Sequence, residues 1–296
     1  MTDTVVAFAV LALAAGFYLV SVRLRRVPGF FLLLLHRWLR WTLFGLGMAY
    51  LMREWGFSGR PYWALAPAFM LVWILLESIY TWLAVRALSY GNMPVYPDYQ
   101  PTSSDIYWPV APAYMKAKEE IKELGFRLEE KLLAEFGGPI PMHSFLYVDP
   151  DRRNRLQVIF VPRPKALPAV FFVFASRSGG SRLMTDNVWL PFGGVFPADW
   201  TVDRRPFTVS PGKLFRRHRR NLGRWKREPE PFGKNLAEIL AEEREILDKV
   251  STEQGILVPP GQRSELGKLT GDGRYRIWKQ ILLLNYFGRV GCGKAG

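Results

Sequence analysis

The residue types that carry most metal and nucleophilic chemistry are scarce in this sequence. Its 296 residues include three histidines, His36, His143 and His218, and one cysteine, Cys292. Metal sites built from Cys and His need ligands at short, repeated spacings, whereas these four residues are scattered along the chain. One cysteine also excludes an internal disulfide framework, which fits a reducing compartment. We therefore expect no metal centre and no bound cofactor.

A short motif near residue 290 comes close to a phosphate-binding P-loop. Residues 288–295 read GRVGCGKA, with both glycines and the lysine of that motif. The lysine is followed by Ala295, where the motif requires the Ser or Thr whose hydroxyl holds magnesium. We interpret the match as a coincidence.

His143 and Asp186 are the remaining candidates for catalysis. His143 precedes one predicted strand and Asp186 lies near the end of another. Acids at such positions usually make turn hydrogen bonds, and a histidine without a nucleophile or a paired carboxylate is more often structural. No nucleophile elbow, metal-binding helix or dinucleotide fingerprint accompanies them. An enzyme acting on lipid or phosphate-bearing substrates, with arginines holding the phosphate, is the alternative function.

The strongest charge feature is a basic run in the second half of the chain. Residues 213–227 read KLFRRHRRNLGRWKR. At helical spacing its apolar residues fall on one face and its cations on the rest. The predicted anion-binding surface consists of Lys213, Arg216, Arg217, Arg219, Arg220, Arg224, Lys226 and Arg227.

Four interpretations of this basic run compete. It could be a helix with a merely solvated charged face, or it could attract the anionic inner leaflet, at roughly 1 kcal/mol per basic residue near the surface. The net charge of +14 suits either one. Nucleic acid is disfavoured because no nucleic-acid-binding signature is present. An acidic protein partner is the fourth interpretation.

The first 90 residues form the predicted membrane domain. Residues 1–87 hold only three of the chain's 26 acids and eight of its 40 bases. Apolar stretches at 5–22, 30–52 and 62–88 are each close to the roughly 20 residues that a bilayer span needs. We therefore predict three transmembrane helices, one single span followed by a helical hairpin.

Charged residues within the hairpin lead to a geometric prediction. A charge at the centre of the bilayer costs at least about 2.5–3.5 kcal/mol, so Arg37, Arg40 and Glu77 should be paired or near an interface. If the chain turns near Ser58, Arg40 and Glu77 both lie about 18 residues away, or about 28 Å along a helix. We predict an Arg40–Glu77 ion pair near the cytoplasmic boundary, with Arg37 as the alternative partner. The other interpretation is that both side chains reach water independently.

The basic residues that follow the first span predict its orientation. Arg23, Arg25 and Arg26 follow the apolar stretch, and only Asp3 precedes it. A signal peptide would carry its positive charge first, and the positive-inside rule places these arginines in the cytoplasm. We expect the N-terminus outside and, after three spans, the C-terminal domain in the cytoplasm, at a bacterial inner membrane.

The remaining 206 residues predict a linker and an α+β domain. Residues 91–112 contain five prolines, which indicates an extended connector. In the basic domain at 113–296, helical periodicity is expected at 113–124, 128–136, 235–250 and 275–287. Strands are expected at 144–148, 156–161, 169–176 and 182–190, with turns at 149–151 and 178–181. These strands predict a small antiparallel sheet between flanking helices.

Together these features favour a non-enzymatic protein over an enzyme. We expect a membrane-anchored accessory or scaffold subunit whose cytoplasmic domain contacts a partner or anionic lipid. Its partners would be the anionic lipids of the inner leaflet and other membrane protein subunits.

Overall fold

Three long helices make up the N-terminal part of the fold. The computed structural model describes residues 3–27, 29–91, 93–102, 107–134, 141–163, 165–189 and 194–289, and the backbone of 293–294. The helices are α1 (Asp3–Arg26), α2 (Phe30–Glu54) and α3 (Tyr62–Tyr90). Helices α1 and α3 are long and apolar enough to cross a membrane, with mean hydropathies of 2.5 and 1.8. Only 6% and 11% of their most apolar windows are buried, unlike the core helices of soluble domains.

Helix α2 differs from its two neighbours. It is 25 residues long, but His36, Arg37 and Arg40 interrupt its apolar sequence, and it is not among the helices apolar enough to span. The third predicted span is therefore present as a helix but is not shown to be a span. Helix α2 packs against both α1 and α3, and His36 Nε2 lies 3.0 Å from Ser21 Oγ of α1.

Close packing and polar contacts hold the three helices together. A Cβ placed on Gly45 of α2 would lie 2.5 Å from Met70 Cγ of α3, so these two helices approach closely here. At one end of the bundle, the Tyr62 hydroxyl donates a hydrogen bond to Asp3 Oδ1 at 2.7 Å. Arg53 Nη2 lies 3.6 Å from the same oxygen. These contacts fix the start of α1 against the turn between α2 and α3.

A seven-stranded mixed sheet forms the centre of the C-terminal domain. In sheet order its strands are β1 (Tyr99–Pro101), β2 (Arg127–Ala134), β3 (Met142–Val148), β4 (Arg155–Arg163), β5 (Ala166–Ser178), β6 (Ser181–Asp186) and β8 (Thr201–Arg204). Strands β6 and β8 are parallel and the other pairs are antiparallel. A separate parallel pair joins β7 (Val195–Phe196) to β9 (Gly293–Lys294). The sheet is thus larger than predicted, and mixed.

The predicted helix at residues 128–136 is wrong, because most of this segment is strand β2. Its backbone pairs with β3 on one side, with Leu132 opposite Ser144, and with β1 on the other. Leu132 is fully buried beneath this pairing. The sequence RLEEKLLA contains good helix formers, but its propensity is overridden by the pairing it gains between two strands.

Helices cover both faces of the sheet. Helices α4 (Pro112–Glu123) and α5 (Pro211–Leu222) lie on one face, over an aromatic core formed by Phe145, Phe160, Phe172 and Phe174. Helix α6 (Leu236–Glu253) covers the opposite face. The alternation of side chains along each strand explains the two apolar faces.

Acidic side chains from earlier elements cap two of these helices. Glu120 of α4 accepts hydrogen bonds from the Ser210 hydroxyl at 2.6 Å and from Gly212 N at 3.1 Å, at the start of α5. Glu130 of β2 accepts from Leu236 N and Ala237 N at 2.9 and 3.0 Å, at the start of α6. A carboxylate at a helix N-terminus satisfies free N–H groups and complements the helix dipole.

The last helices join the C-terminal domain to the three N-terminal helices. After α7 (Arg263–Leu266), helix α8 spans Gly271–Phe287 and packs against α3 and α2. Trp278 Nε1 donates to Ser78 O at 3.1 Å, and Trp38 Nε1 donates to Tyr286 O at 3.0 Å. Helix α8 therefore lies across the α2–α3 pair.

The strands of the sheet lead away from the three-helix bundle. Arg163, at the end of β4, donates to Leu24 O of α1 at 3.4 Å. On the opposite face, Val85 of α3 packs with Leu257 and Leu269, which follow α6. Both contacts lie at the same end of the sheet. The tip of the β5–β6 hairpin at Ser178 is about 30 Å along the strand from Ala169, at the far end of the domain.

Candidate functional site

The basic run forms helix α5, which ends earlier than predicted. Ser210 caps its N-terminus by accepting from Lys213 N, and Pro211 takes the first helical position, where its missing N–H costs nothing. Leu214, Phe215 and His218 are buried against the sheet and α4. The apolar side of the amphipathic pattern thus faces the sheet. The helix ends at Leu222.

The cationic face of α5 comprises six of the eight predicted cations. Arg217 is partly buried and its Nε donates to Asp203 Oδ2 at 2.6 Å. Arg227 lies beyond the helix and donates to the Ser181 hydroxyl. The other six are exposed, and the described residues offer their side chains no ion pair or hydrogen bond. We call them the α5 cationic face, which consists of four residues on the helix and two directly after it: Lys213, Arg216, Arg219, Arg220, Arg224 and Lys226.

Helix α5 begins beside the three N-terminal helices and leads away from them. Phe207, just before the helix, packs edge-on against Phe30 at the start of α2, with ring centroids 4.9 Å apart. Beyond its other end, Arg227 contacts Ser181 at the far hairpin. The 12 residues of α5 extend about 18 Å. Arg219 and Arg220 therefore lie more than one Debye length, about 8 Å, along the helix from Lys213.

His218 lies at the centre of a buried polar group beneath α5. Its Nε2 is 3.0 Å from Ser176 Oγ, and its Nδ1 is 3.0 Å from Thr185 Oγ1. Burial lowers the pKa of His218 to about 3, so the ring is neutral at pH 7. Ser176 is also fully buried. The pair has the atoms of a nucleophile and a base, but no substrate can reach it, and we assign it a structural role.

Asp186 and His143, the candidates of the alternative function, do not converge. They lie on β6 and β3, which are three strand spacings apart, about 14 Å. Asp186 is buried and accepts from Arg204 Nε at 2.9 Å and from Val188 N at 2.9 Å. Burial raises the pKa of the Asp186 carboxyl, and the charge of Arg204 opposes that shift. Asp186 therefore has a structural role.

A buried ion triad was missing from the sequence-based prediction. Glu243 of α6 accepts from Arg155 Nη2 at 2.7 Å and from Arg182 Nε at 3.2 Å. The Arg155 side chain is 1% exposed and stacks on Phe232. Arginine is normally a surface residue. The alternation of apolar and polar residues along β4 is the one sequence signal that could have indicated that Arg155 is buried.

Arg40 and Glu77 are brought together by α2 and α3. Arg40 Nη2 lies 3.5 Å from Glu77 Oε1. Glu77 Oε2 also accepts from Trp73 Nε1 at 3.0 Å and from the Tyr286 hydroxyl of α8. Arg37 makes no ion pair with Glu77 among the described side chains. The carboxylate thus joins three helices and has three donors.

Residues of the P-loop-like segment and Cys292 lie largely outside the described part of the chain. Within the described ranges, no group of three His, Cys, Asp or Glu side chains could hold a metal ion. At the predicted first turn, Asp149 acts as a turn residue, since its carboxylate accepts from Asn154 N at 2.9 Å.

The chain matches no known protein family, no curated protein and no solved structure. Its function is therefore inferred from the contacts and charges of the described residues.

Proposed function

We propose that this protein is a membrane-anchored, non-enzymatic accessory subunit whose cytoplasmic domain binds an acidic protein partner. The α5 cationic face is the observation that carries the proposal. Six exposed cations, four on α5 and two directly after it, repel one another, and a partner that supplies carboxylates would relieve this repulsion.

The proposed anchor consists of α1, α2 and α3. Helices α1 and α3 run in the same direction, so if both span a membrane, the chain must return through α2. The cost of placing Arg40 within the membrane is lowered by its pairing with Glu77. With the arginines at the end of α1 in the cytoplasm, the N-terminus lies outside and the sheet inside.

Aromatic side chains support this anchor. Trp55, Phe57 and Trp63 are exposed at one end of the bundle. Trp82 and Trp278 pack edge-on at the other, with ring centroids 6.3 Å apart. Trp63 and Trp82 are about 28 Å apart along α3, close to the roughly 30 Å of a hydrocarbon core. Trp and Tyr favour both interfaces of a bilayer.

The direction of α5 favours a protein over lipid as the partner. Only the start of the helix, at Lys213, adjoins the membrane helices. Arg219, Arg220 and Arg224 lie farther along, where screening weakens attraction to lipid headgroups. A soluble acidic surface can reach the whole face.

Charge reversal on α5 tests the proposal. The triple variant Arg219→Glu, Arg220→Glu, Arg224→Glu leaves the buried side of α5 unchanged. When the full chain is extracted in mild detergent, we expect the amount of co-purifying acidic protein to fall at least about tenfold. The reason is that charges at an interface contribute to attraction between oppositely charged partners. The measurement is quantitative mass spectrometry of the eluate.

A matched control changes the same charge elsewhere in the domain. Lys118, Lys122 and Arg127 are exposed, and their reversal to Glu alters net charge equally. This control should retain the partner. Purification of the wild-type chain as a monodisperse monomer without any co-purifying protein would overturn the proposal, as would equal losses in both triple variants.

A further inference from the structure

A cavity of about 250 Å³ lies where the membrane helices meet the C-terminal domain. The turn between α1 and α2 forms one wall through Val27, Gly29 and Phe30. Helix α4, strand β5 and the segment leading into α5 form the others. If the bundle spans a membrane, this cavity is at the level of the cytoplasmic headgroups.

Apart from Lys116, the polar groups that line the cavity already have partners. Asn187 Oδ1 accepts from Phe172 N at 2.7 Å, and Asn187 Nδ2 donates to Thr208 O at 3.0 Å. Glu120 and Ser210 are engaged in capping α5. The rest of the wall is largely apolar, with Ala117, Val170 and Trp189 among its residues. The cavity therefore suits an apolar occupant.

The size of the cavity limits that occupant. Pockets for whole small molecules are typically about 300–1,000 Å³, which exceeds the volume here. A segment of a hydrocarbon chain fits, while the rest of its molecule stays outside. Exposed apolar side chains near the mouth, Phe207 and Val209, continue the apolar surface toward the bilayer.

The charges around the mouth select the headgroup. Lys116 lines the cavity and is exposed. The last turn of α1, directly before Val27, carries Arg23, Arg25 and Arg26. Basic residues at this depth attract anionic lipid. The carboxylate of Glu120 inside the cavity repels an anionic headgroup, so only the chain should enter.

We propose that this cavity holds one acyl chain of an anionic phospholipid from the cytoplasmic leaflet, with its headgroup against Lys116 and the arginines of α1. The inference rests on the membrane anchoring proposed above and is independent of the acidic partner.

Photo-cross-linking tests the site directly. The full chain is reconstituted in phosphatidylcholine vesicles containing phosphatidylglycerol with a diazirine on one acyl chain, and cross-linked peptides are mapped by mass spectrometry. We expect cross-links in residues 113–120 and 169–172. Phosphatidylcholine with the same labelled chain should give several-fold fewer of them, since each basic residue near the surface favours the anionic lipid.

Two glycines provide a matched pair of variants. A Cβ on Gly29 would meet no heavy atom within 4 Å, and its backbone is extended, so Gly29→Leu fills open space. Because leucine would overlap the chain, we expect at least about a fivefold loss of the cavity cross-links. A Cβ on Gly47 of α2 also meets nothing, and Gly47→Leu, away from the cavity, should leave the cavity cross-links unchanged.

The contrary outcomes are distinguishable. Extraction of the protein by alkaline carbonate would overturn the membrane anchoring, and this inference with it. A protein that stays in the membrane but cross-links only along the exposed faces of α1 and α3 would overturn this inference alone. Equal cavity cross-linking by the two lipids, or by Gly29→Leu and wild type, would also overturn it.

Discussion

One carboxylate, that of Glu243, holds two arginines inside the C-terminal domain. Arg155 Nε and Nη1 are buried without a hydrogen-bond partner among the described residues, so the bond to Glu243 is the main compensation for burying that charge. Removing one member of a buried ion pair is far more costly than removing a surface pair, because it leaves an uncompensated charge.

The variant Glu243→Gln should therefore be strongly destabilised. We expect the free energy of unfolding to fall by about 3 kcal/mol, measured by denaturant titration of the full chain in detergent. Glu242 is the next residue and is exposed, so Glu242→Gln should change the value by less than about 0.5 kcal/mol. Similar effects for both variants would contradict the structural role of the triad.

His218 predicts how stability depends on pH. Its pKa is about 3 in the folded chain and about 6.5 when unfolded. Below pH 6.5 the unfolded chain takes up a proton that the folded chain does not, so stability falls as the pH falls. Between pH 7 and pH 5 the expected loss from this group is about 2 kcal/mol.

Replacing the ring should remove that contribution. The variant His218→Gln is expected to be less stable at pH 7 but to lose about 2 kcal/mol less than wild type between pH 7 and pH 5. The measurement is the free energy of unfolding at both pH values. His143→Gln serves as the comparison: burial also lowers the pKa of His143, but that side chain is only partly buried, so this variant should change the pH dependence less than His218→Gln does. An unchanged pH dependence in His218→Gln would show that the ring is accessible to protons.

At the scale of elements, sequence periodicity predicted the helices and strands whose conformation follows from their own apolar pattern. The strands at β3 to β6 and helices α4, α5 and α6 follow apolar patterns that match their burial. Strand β2 was assigned as a helix because its propensity is helical while its partners are distant in sequence. The short strands β1 and β8 carry too few residues for a pattern, and they form because neighbouring strands offer free edges.

The candidate site was predictable to a similar extent. The basic run and its buried side could be read from spacing, and the equal depth of Arg40 and Glu77 followed from the hairpin turn. The Arg155–Glu243–Arg182 triad and the bond from Tyr286 to Glu77 could not. These contacts join residues 61 to 209 positions apart in the chain, and tertiary packing alone determines them.

The close approach of α2 and α3 makes a prediction about helix packing. Gly45→Leu would force its side chain into Met70 and the backbone at Ala66. We expect it to destabilise the bundle by about 1–3 kcal/mol, seen as a lower melting temperature in detergent. Gly47→Leu in the same helix has open space and should be neutral or slightly stabilising, because leucine is the better helix former. Equal melting temperatures would argue against close α2–α3 packing.

At the scale of the whole molecule, the chain has a long axis. The turn between α2 and α3 marks one end and the β5–β6 hairpin the other, with the cavity and α8 between them. This arrangement puts the α5 cationic face on the domain that the proposed anchor would hold near a membrane.

Cysteine labelling tests the direction of this axis in the membrane. With Cys292 replaced by Ser, single cysteines at Gly59 and Gly180 occupy exposed turns at opposite ends. We expect a membrane-impermeant maleimide to label Gly59→Cys in intact cells and Gly180→Cys only after lysis, because the positive-inside rule places α1's arginines inside. The reverse pattern would invert the proposed topology.

The two acidic caps, Glu120 and Glu130, also imply an order of events during synthesis. Each acid lies 90 or more positions ahead of the helix start that it binds. At about 5–20 residues per second, the ribosome releases each carboxylate at least about 5 s before its helix. The strongly cationic segment at 213–227 thus emerges only after the carboxylate that caps its helix has been synthesised. That group can start the helix at Ser210 before anionic lipid or another chain captures the new cations.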